Sequence, residues 1–217
     1  MPLTADQFAE GLDTPAYLAR VKANREAILK IYEVLEPPAD AKALFESQPK
    51  PLRLAVFTED WCGDALTSTP SVLKLADSTP SITVKTFQRD QYRELADGFL
   101  PSHRAGTLPI FVVFDDEMHE IARFIETAKK LQPLVGKMSD ELRAHLLKAD
   151  EQDKPIPELS PESRAAFGSA RAAYRAAHAQ DWGEIIIAEF ADTVRKGLAL
   201  PAAERPAEGG TEWPPKG

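Results

Sequence analysis

Cys62 is the single cysteine in a chain of 217 residues, and it stands in the run Glu59-Asp60-Trp61-Cys62-Gly63-Asp64. An apolar, β-rich stretch precedes that run and a stretch with helical spacing follows it. One cysteine makes no internal disulfide, so thiol chemistry here is monothiol or involves a second molecule. A cysteine at a helix start meets unpaired backbone N–H groups and the positive end of the macrodipole. Both favour the thiolate, which is the nucleophilic form. Against this, Glu59, Asp60 and Asp64 surround the sulfur with negative charge, and Asp64 competes for the same helix terminus. The direction of the thiol pKa is therefore open. Each residue also has a plainer reading. Cys62 is otherwise a small apolar filler, and Asp64 an acid that the dipole favours in a first turn rather than a proton acceptor or substrate-orienting group. Trp61 is otherwise half-buried packing rather than part of a partner-binding surface.

Other chemistry finds less support. His103, His119, His145 and His178 are dispersed with none at the i, i+4 spacing of a helical metal pair, and one cysteine cannot complete a cysteine-rich zinc site. No metal and no cofactor is expected. Neither a Gly-X-Gly-X-X-Gly nor a P-loop pattern occurs, and Gly209-Gly210 does not lie between a strand and a helix. No Gly-X-Ser-X-Gly elbow follows a strand.

The elements that must position Cys62 follow from the pattern around it. Strands are expected at about 52–58 and 82–88, with helices at about 62–77 and 91–99. Ile110–Phe114 and roughly His119–Glu126 form a hairpin through Asp115-Asp116-Glu117-Met118, and a helix from Ser139 closes the unit. A crossover helix separates the first two strands, which makes them parallel, and an antiparallel pair follows. The expected domain, residues 51–150, is thus an α/β unit with a four-stranded mixed sheet flanked by helices.

Residues 1–50 read as an N-terminal helical extension. Thr4 and Gln7 have capping-box spacing, and Thr14-Pro15 reads as the N-cap and first position of a longer helix ending at Pro37-Pro38. Leu18, Val21, Ile28, Leu29, Tyr32 and Leu35 share one face of that helix. Residues 151–200 read as a C-terminal helical hairpin, entered after Lys154-Pro155-Ile156-Pro157 at Ser160-Pro161 and again near Asp181-Trp182. Residues 201–217 lack periodicity and are expected to be a flexible tail.

Composition limits the partners. A formal net charge of −8 opposes a phosphate backbone or an anionic lipid surface. No basic n-region with an apolar stretch opens the sequence, and no segment has the roughly 18 apolar residues of a membrane span. No nucleic-acid or membrane partner is expected, and the setting is expected to be cytoplasmic.

Trp61-Cys62-Gly63 after the strand at 52–58 resembles the strand-to-helix junction of thioredoxin-family proteins, whose motif is Trp-Cys-Gly-X-Cys. Pro70 falls where thioredoxins kink the same helix, and Thr107-Leu108-Pro109 before a strand resembles their cis-proline loop. The resemblance covers about residues 50–150 and implies a thioredoxin-like fold with extra N- and C-terminal helices. It implies Cys62 as nucleophile, with Trp61, Gly63, Asp64, Thr107, Leu108 and Pro109 lining a binding groove. Ala65 replaces the second, resolving cysteine, and Val56 replaces the buried aspartate that resembles a proton relay to it. Thr58 departs from the Thr-X-X-Cys arrangement of peroxiredoxins, and Cys62-Gly63-Asp64-Ala65 partly echoes the Cys-Gly-Phe-Ser motif of monothiol glutaredoxins. Two functions are compatible with this. One is a monothiol redox protein, in which Cys62 forms transient mixed disulfides with protein or small-molecule thiols and disulfides that an external thiol resolves. The other is a non-catalytic interaction module whose added helices bind another protein or a second copy of the chain as a homo-oligomer.

Overall fold

The computed structural model describes residues 3–211. Four strands occupy the expected stretches: β1 Leu52–Thr58, β2 Ile82–Gln88, β3 Ile110–Phe114 and β4 Glu120–Ile125. β1 pairs parallel with β2 and antiparallel with β3, and β3 pairs antiparallel with β4. The sheet nevertheless has five strands rather than four. Ala207–Gly210 forms β5, parallel to β4, in the order β2-β1-β3-β4-β5. This segment, expected to belong to a flexible tail, has no hydrophobic alternation to announce it. Its pairing rests on backbone groups and on two glycines that let it approach its neighbours closely. A β-carbon on Gly209 would lie 2.0 Å from Thr193 Oγ1, and Gly210 has φ +86°. Residues 212–217 of that tail lie outside the described residues.

Both faces of the sheet are covered, which is why β1 and β3 read as continuous apolar runs. Leu54, Val56, Phe111, Val113 and Phe124 face one layer of helices, and Ala55, Phe57, Phe87, Ile110, Val112 and Phe114 face the other. The second layer is thin. It consists of Leu3, Phe8 of α1 (Ala5–Ala9), Ala96 of α6 (Arg93–Asp97), and Phe99 and Leu100.

The first layer contains α3 (Arg25–Val34), α4 (Ala39–Glu46), α5 (Gly63–Asp77) and α9 (Ala179–Ala199). α9 lies beside α5 and across β4 and β5. Its Phe190 meets Phe111 and Phe124 edge-on at 6.1 and 5.9 Å, contacts worth about 0.5–1.5 kcal/mol each beyond burial alone. The helix expected from Ser139 is α7 (Gln132–Leu146), which starts earlier because Pro133 sits in its first turn. Met138 is its buried residue, and it packs mainly on α8 (Pro161–Ala177), so α9 rather than α7 covers the sheet. Ser160 caps α8 by accepting from Ser163 N–H, as its sequence suggests.

The single long N-terminal helix is corrected to two. α2 is Thr14–Arg20, and the chain breaks at Val21–Asn24 before α3. Asp60 drives the break: its Oδ2 accepts from the backbone N–H groups of Lys22 and Ala23 at 2.6 and 3.0 Å. Asn24 takes φ 51° and donates its side-chain amide to the Asp60 carbonyl at 2.8 Å. The N-cap of α2 is Asp13, which accepts from Ala16 N–H, while Thr14 donates to Asp77 instead. The Thr4–Gln7 capping box is present on α1.

Candidate functional site

β1 delivers the chain to Trp61, and Cys62 is the N-cap residue of α5, with φ −76° and ψ 130°. The helix that follows is buried from Ala65 to Leu73 and contains Pro70, so the start of α5 is held rigidly against the sheet. Thr58 and Thr69 share a buried hydrogen bond at 2.8 Å beneath the junction. Trp61 is 58% exposed, while Cys62, Gly63 and Asp64 are half-buried.

The loop before β3 comes to the sulfur. The Leu108–Pro109 peptide is cis, and the Cys62 thiol donates to the Leu108 carbonyl at 3.8 Å. The Pro109 carbonyl accepts from Glu126 N–H at 2.8 Å, which ties the loop to the end of β4. Leu108 and Pro109 are buried; Thr107 is half-buried, and its N–H turns to the Arg104 carbonyl.

Of the three acids expected around the sulfur, two are used elsewhere. Asp60 holds residues 22–24, and Glu59, buried, accepts from Asp90 N–H at 2.9 Å. Asp64 remains at the site, and Glu126 joins it. Burial pushes the Cys62 thiol above its ordinary value, and the charges of Asp64 and Glu126 add to the rise. The amides of Ala65 and Asp64 pull against it without prevailing. Desolvation likewise raises Asp64 and Glu126. Asp64, Glu126, Thr127, Gln132, Val135 and Thr211 line a cleft of about 390 Å³. Glu126 is anchored in it by Arg104 Nη2 at 3.1 Å and by the Thr211 hydroxyl.

Arg171 and Arg175 of α8, which no motif in the sequence marks, also stand at the site. A β-carbon on Gly63 would lie 3.3 Å from Arg171 Nη2 and 3.9 Å from Arg175 Nη2. Both guanidiniums therefore close over the start of α5. Their charges lower the Asp64 pKa against the larger effect of burial, and both feel the charge of Cys62. The available signal was their i, i+4 spacing, which puts them on one face of an alanine-rich helix. Val56, in place of an acid, is fully buried among apolar neighbours. Among the described residues no group of three or more His, Cys, Asp or Glu side chains is arranged to hold a metal ion. No helix among them is long and apolar enough to cross a membrane.

No curated protein matches this chain significantly. Two solved structures share its fold. One is a protein of unknown function from Pseudomonas aeruginosa, 16% identical with a TM-score of 0.59, the alignment covering 90% of this chain and 99% of that one. The other is an HIV epitope-scaffold, 15% identical with a TM-score of 0.56, covering 90% and 98%. At such identities the likeness concerns the fold alone. The family model described as thioredoxin matches residues 11–143, more than half of the chain and inclusive of β1, Cys62, the 107–109 loop and β4. With the sheet order, the N-capping cysteine and the loop facing it, this places the chain in the thioredoxin family.

Proposed function

We propose that the protein is a monothiol thiol–disulfide exchange protein that uses Cys62 as its nucleophile. The observation that carries this reading is the placement of Cys62: at the N-cap of α5, with its sulfur 3.8 Å from the Leu108 carbonyl and the exposed Trp61 beside it. In this reading Trp61, Gly63, Asp64, Thr107, Leu108 and Pro109 form the groove, and an extended partner lies along the loop at 107–109.

The exchange step conserves electrons. The Cys62 thiolate attacks one sulfur of a disulfide, a new S–S bond forms, and the old one breaks to release the second sulfur as a thiolate that takes up a proton. With Ala65 in place of a second cysteine, an external thiol must then attack the mixed disulfide and return Cys62 to the thiol. Partners are therefore protein or small-molecule thiols and disulfides, and the setting is a reducing one such as the cytoplasm. The raised thiol pKa makes the resting state protonated, so the thiolate forms when a partner or a higher pH draws the proton away.

The test is incubation with a small disulfide followed by intact mass measurement. A mixed disulfide on Cys62, lost in Cys62→Ser and reversed by added thiol, supports exchange. No adduct under conditions where the urea-unfolded chain forms one sinks it. That same raised pKa favours a second reading, in which the fold and groove serve binding without turnover. It predicts that Cys62→Ser keeps partner binding and biological effect, both of which the exchange reading loses.

A further inference from the structure

Arg175 is 2% exposed, yet the only hydrogen bond its guanidinium makes among the described residues is a donation from Nη1 to the sulfur of Met138 at 3.6 Å. Its Nε and that of Arg171 are both buried without a hydrogen-bond partner. A buried guanidinium is costly unless a carboxylate or several acceptors satisfy it. Asp64 faces the pair with one carboxylate against two cations. A third guanidinium stands behind them, since Arg143 and Arg171 both lie over the Phe167 ring, at 5.2 and 5.6 Å. Arg175 itself lies over Trp182 at 5.9 Å. In a chain of net charge −8 this concentration of positive charge is local, and aromatic faces, with the Gln152 and Lys154 carbonyls for Arg143, rather than carboxylates hold it in place.

The two Nη2 atoms converge on Gly63, the first residue of a fifteen-residue helix, whose N–H has no intrahelical acceptor, while the amides of Asp64 and Ala65 turn to the Cys62 sulfur. Gly63 contributes no side chain, so the two guanidiniums approach the helix start directly. Arg171 is half-buried and Arg175 buried, and both feel the charge of the half-buried Cys62. The geometry points to an oxyanion site. We propose that the start of α5, Arg171 and Arg175 together bind an oxyanion, and that its physiological form is a carboxylate carried by the thiol or disulfide compound that Cys62 meets. Two guanidinium forks and a helix terminus match the donor pattern such a group needs. The nature of the ligand rests on the exchange reading; the binding of an anion does not.

Two arms of one experiment separate these. In the first, the Cys62→Ser chain is titrated with inorganic phosphate at constant ionic strength while its melting temperature is followed. Saturable stabilisation is expected, lost in the additional Arg171→Gln variant and partly kept in Arg171→Lys, where the charge stays but the fork goes. In the second, the folded native chain is alkylated with iodoacetate and with iodoacetamide, and the ratio of rates is compared with that of the urea-unfolded chain. A preference for the anionic reagent of about tenfold is expected, since a charge-assisted hydrogen bond contributes that much, and it should vanish in Arg171→Gln. A positive phosphate arm without a mixed disulfide on Cys62 leaves the anion site standing and removes the exchange reading. A positive phosphate arm without the iodoacetate preference makes the ligand a free anion and overturns the substrate role. If neither arm depends on Arg171, the site is overturned even where Cys62 exchanges disulfides.

Discussion

Gly197 of α9 lies so close to Ile121 of β4 that a β-carbon on it would come within 2.1 Å of the Ile121 carbonyl oxygen. The contact is with backbone, which cannot step aside as a side chain can. α9 is thus seated on the sheet at the distance only glycine permits, and the C-terminal helix is part of the same buried cluster as the strands. Gly197→Ala should therefore lose about 1–3 kcal/mol, the range for overpacking a close-packed contact. Gly168→Ala on α8 provides the opposite control. Nothing lies within 4 Å of its β-carbon position, and it occupies a helix interior. That variant should gain about 0.5–1 kcal/mol from helix propensity. Urea titration of both variants beside the parent chain reads the difference, and equal effects of one sign would mean that α9 is not seated this closely.

The raised Cys62 thiol carries a pH dependence whose sign is determined. The folded state holds the proton more tightly than the unfolded chain, whose thiol titrates near 8.5. Between the unfolded and folded values, unfolding releases a proton, so stability is fully present below the unfolded value and falls as pH rises through the folded one. Cys62→Ala should therefore show a shallower loss of stability above about pH 8.5 than the parent. The alkylation rate of the folded chain should keep rising beyond the pH where that of the unfolded chain levels off. A folded-state plateau at lower pH than the unfolded reference would reverse the assignment.

How far the sequence reveals this arrangement depends on how local the signal is. The strands 52–58 and 82–88, the hairpin, and the Ser160 cap rest on alternation or on residues within a turn of each other, and each is where the pattern places it. The break at Val21–Asn24 is different. It depends on Asp60, nearly forty positions away in sequence, drawing amides out of a helix whose apolar spacing runs straight through. β5 has no side-chain pattern, because its partners recognise backbone and the absence of side chains. At the site, the motif around Cys62 is legible, and so is the loop at 107–109. Arg171 and Arg175 are not, since nothing in an alanine-rich helix says which of its faces will close over a helix start a hundred residues earlier.

Arg175 sets stability against function. Burial lowers its pKa to about 10, and the one hydrogen bond of its guanidinium among the described residues is to a thioether. Exchanging a poorly paired buried cation for an apolar side chain of similar volume is often stabilising by about 1–4 kcal/mol. Arg175→Met should accordingly raise the urea midpoint, while abolishing the stabilisation by phosphate expected of the parent. A variant that is destabilised, with no change in its response to phosphate, would mean that Arg175 is satisfied where it stands and takes no part in anion binding.

The fifth strand makes the last prediction. β5 covers the edge of β4 from Ala122 to Ile125, and Arg104 fastens its end by donating to the Thr211 carbonyl at 2.8 Å and to Glu126 at 3.1 Å. A chain ending at Pro206 keeps Arg205, whose side chain donates to the carbonyls of Leu198 and Leu200 at the end of α9, and so removes the strand without uncapping the helix. β4 then becomes an open edge carrying Ile121, Phe124 and Ile125, a template for pairing with other chains. Loss of about 2–4 kcal/mol is expected, at about 1 kcal/mol for each backbone hydrogen bond, together with concentration-dependent self-association. Hydrogen exchange should place the change at Ala122–Ile125, and the Glu126 carboxyl, deprived of Thr211, should lose part of its anchoring beside Cys62. Unchanged exchange at β4 in the shortened chain would mean that residues 207–211 contribute nothing to the sheet, and the site would then have to be understood on four strands.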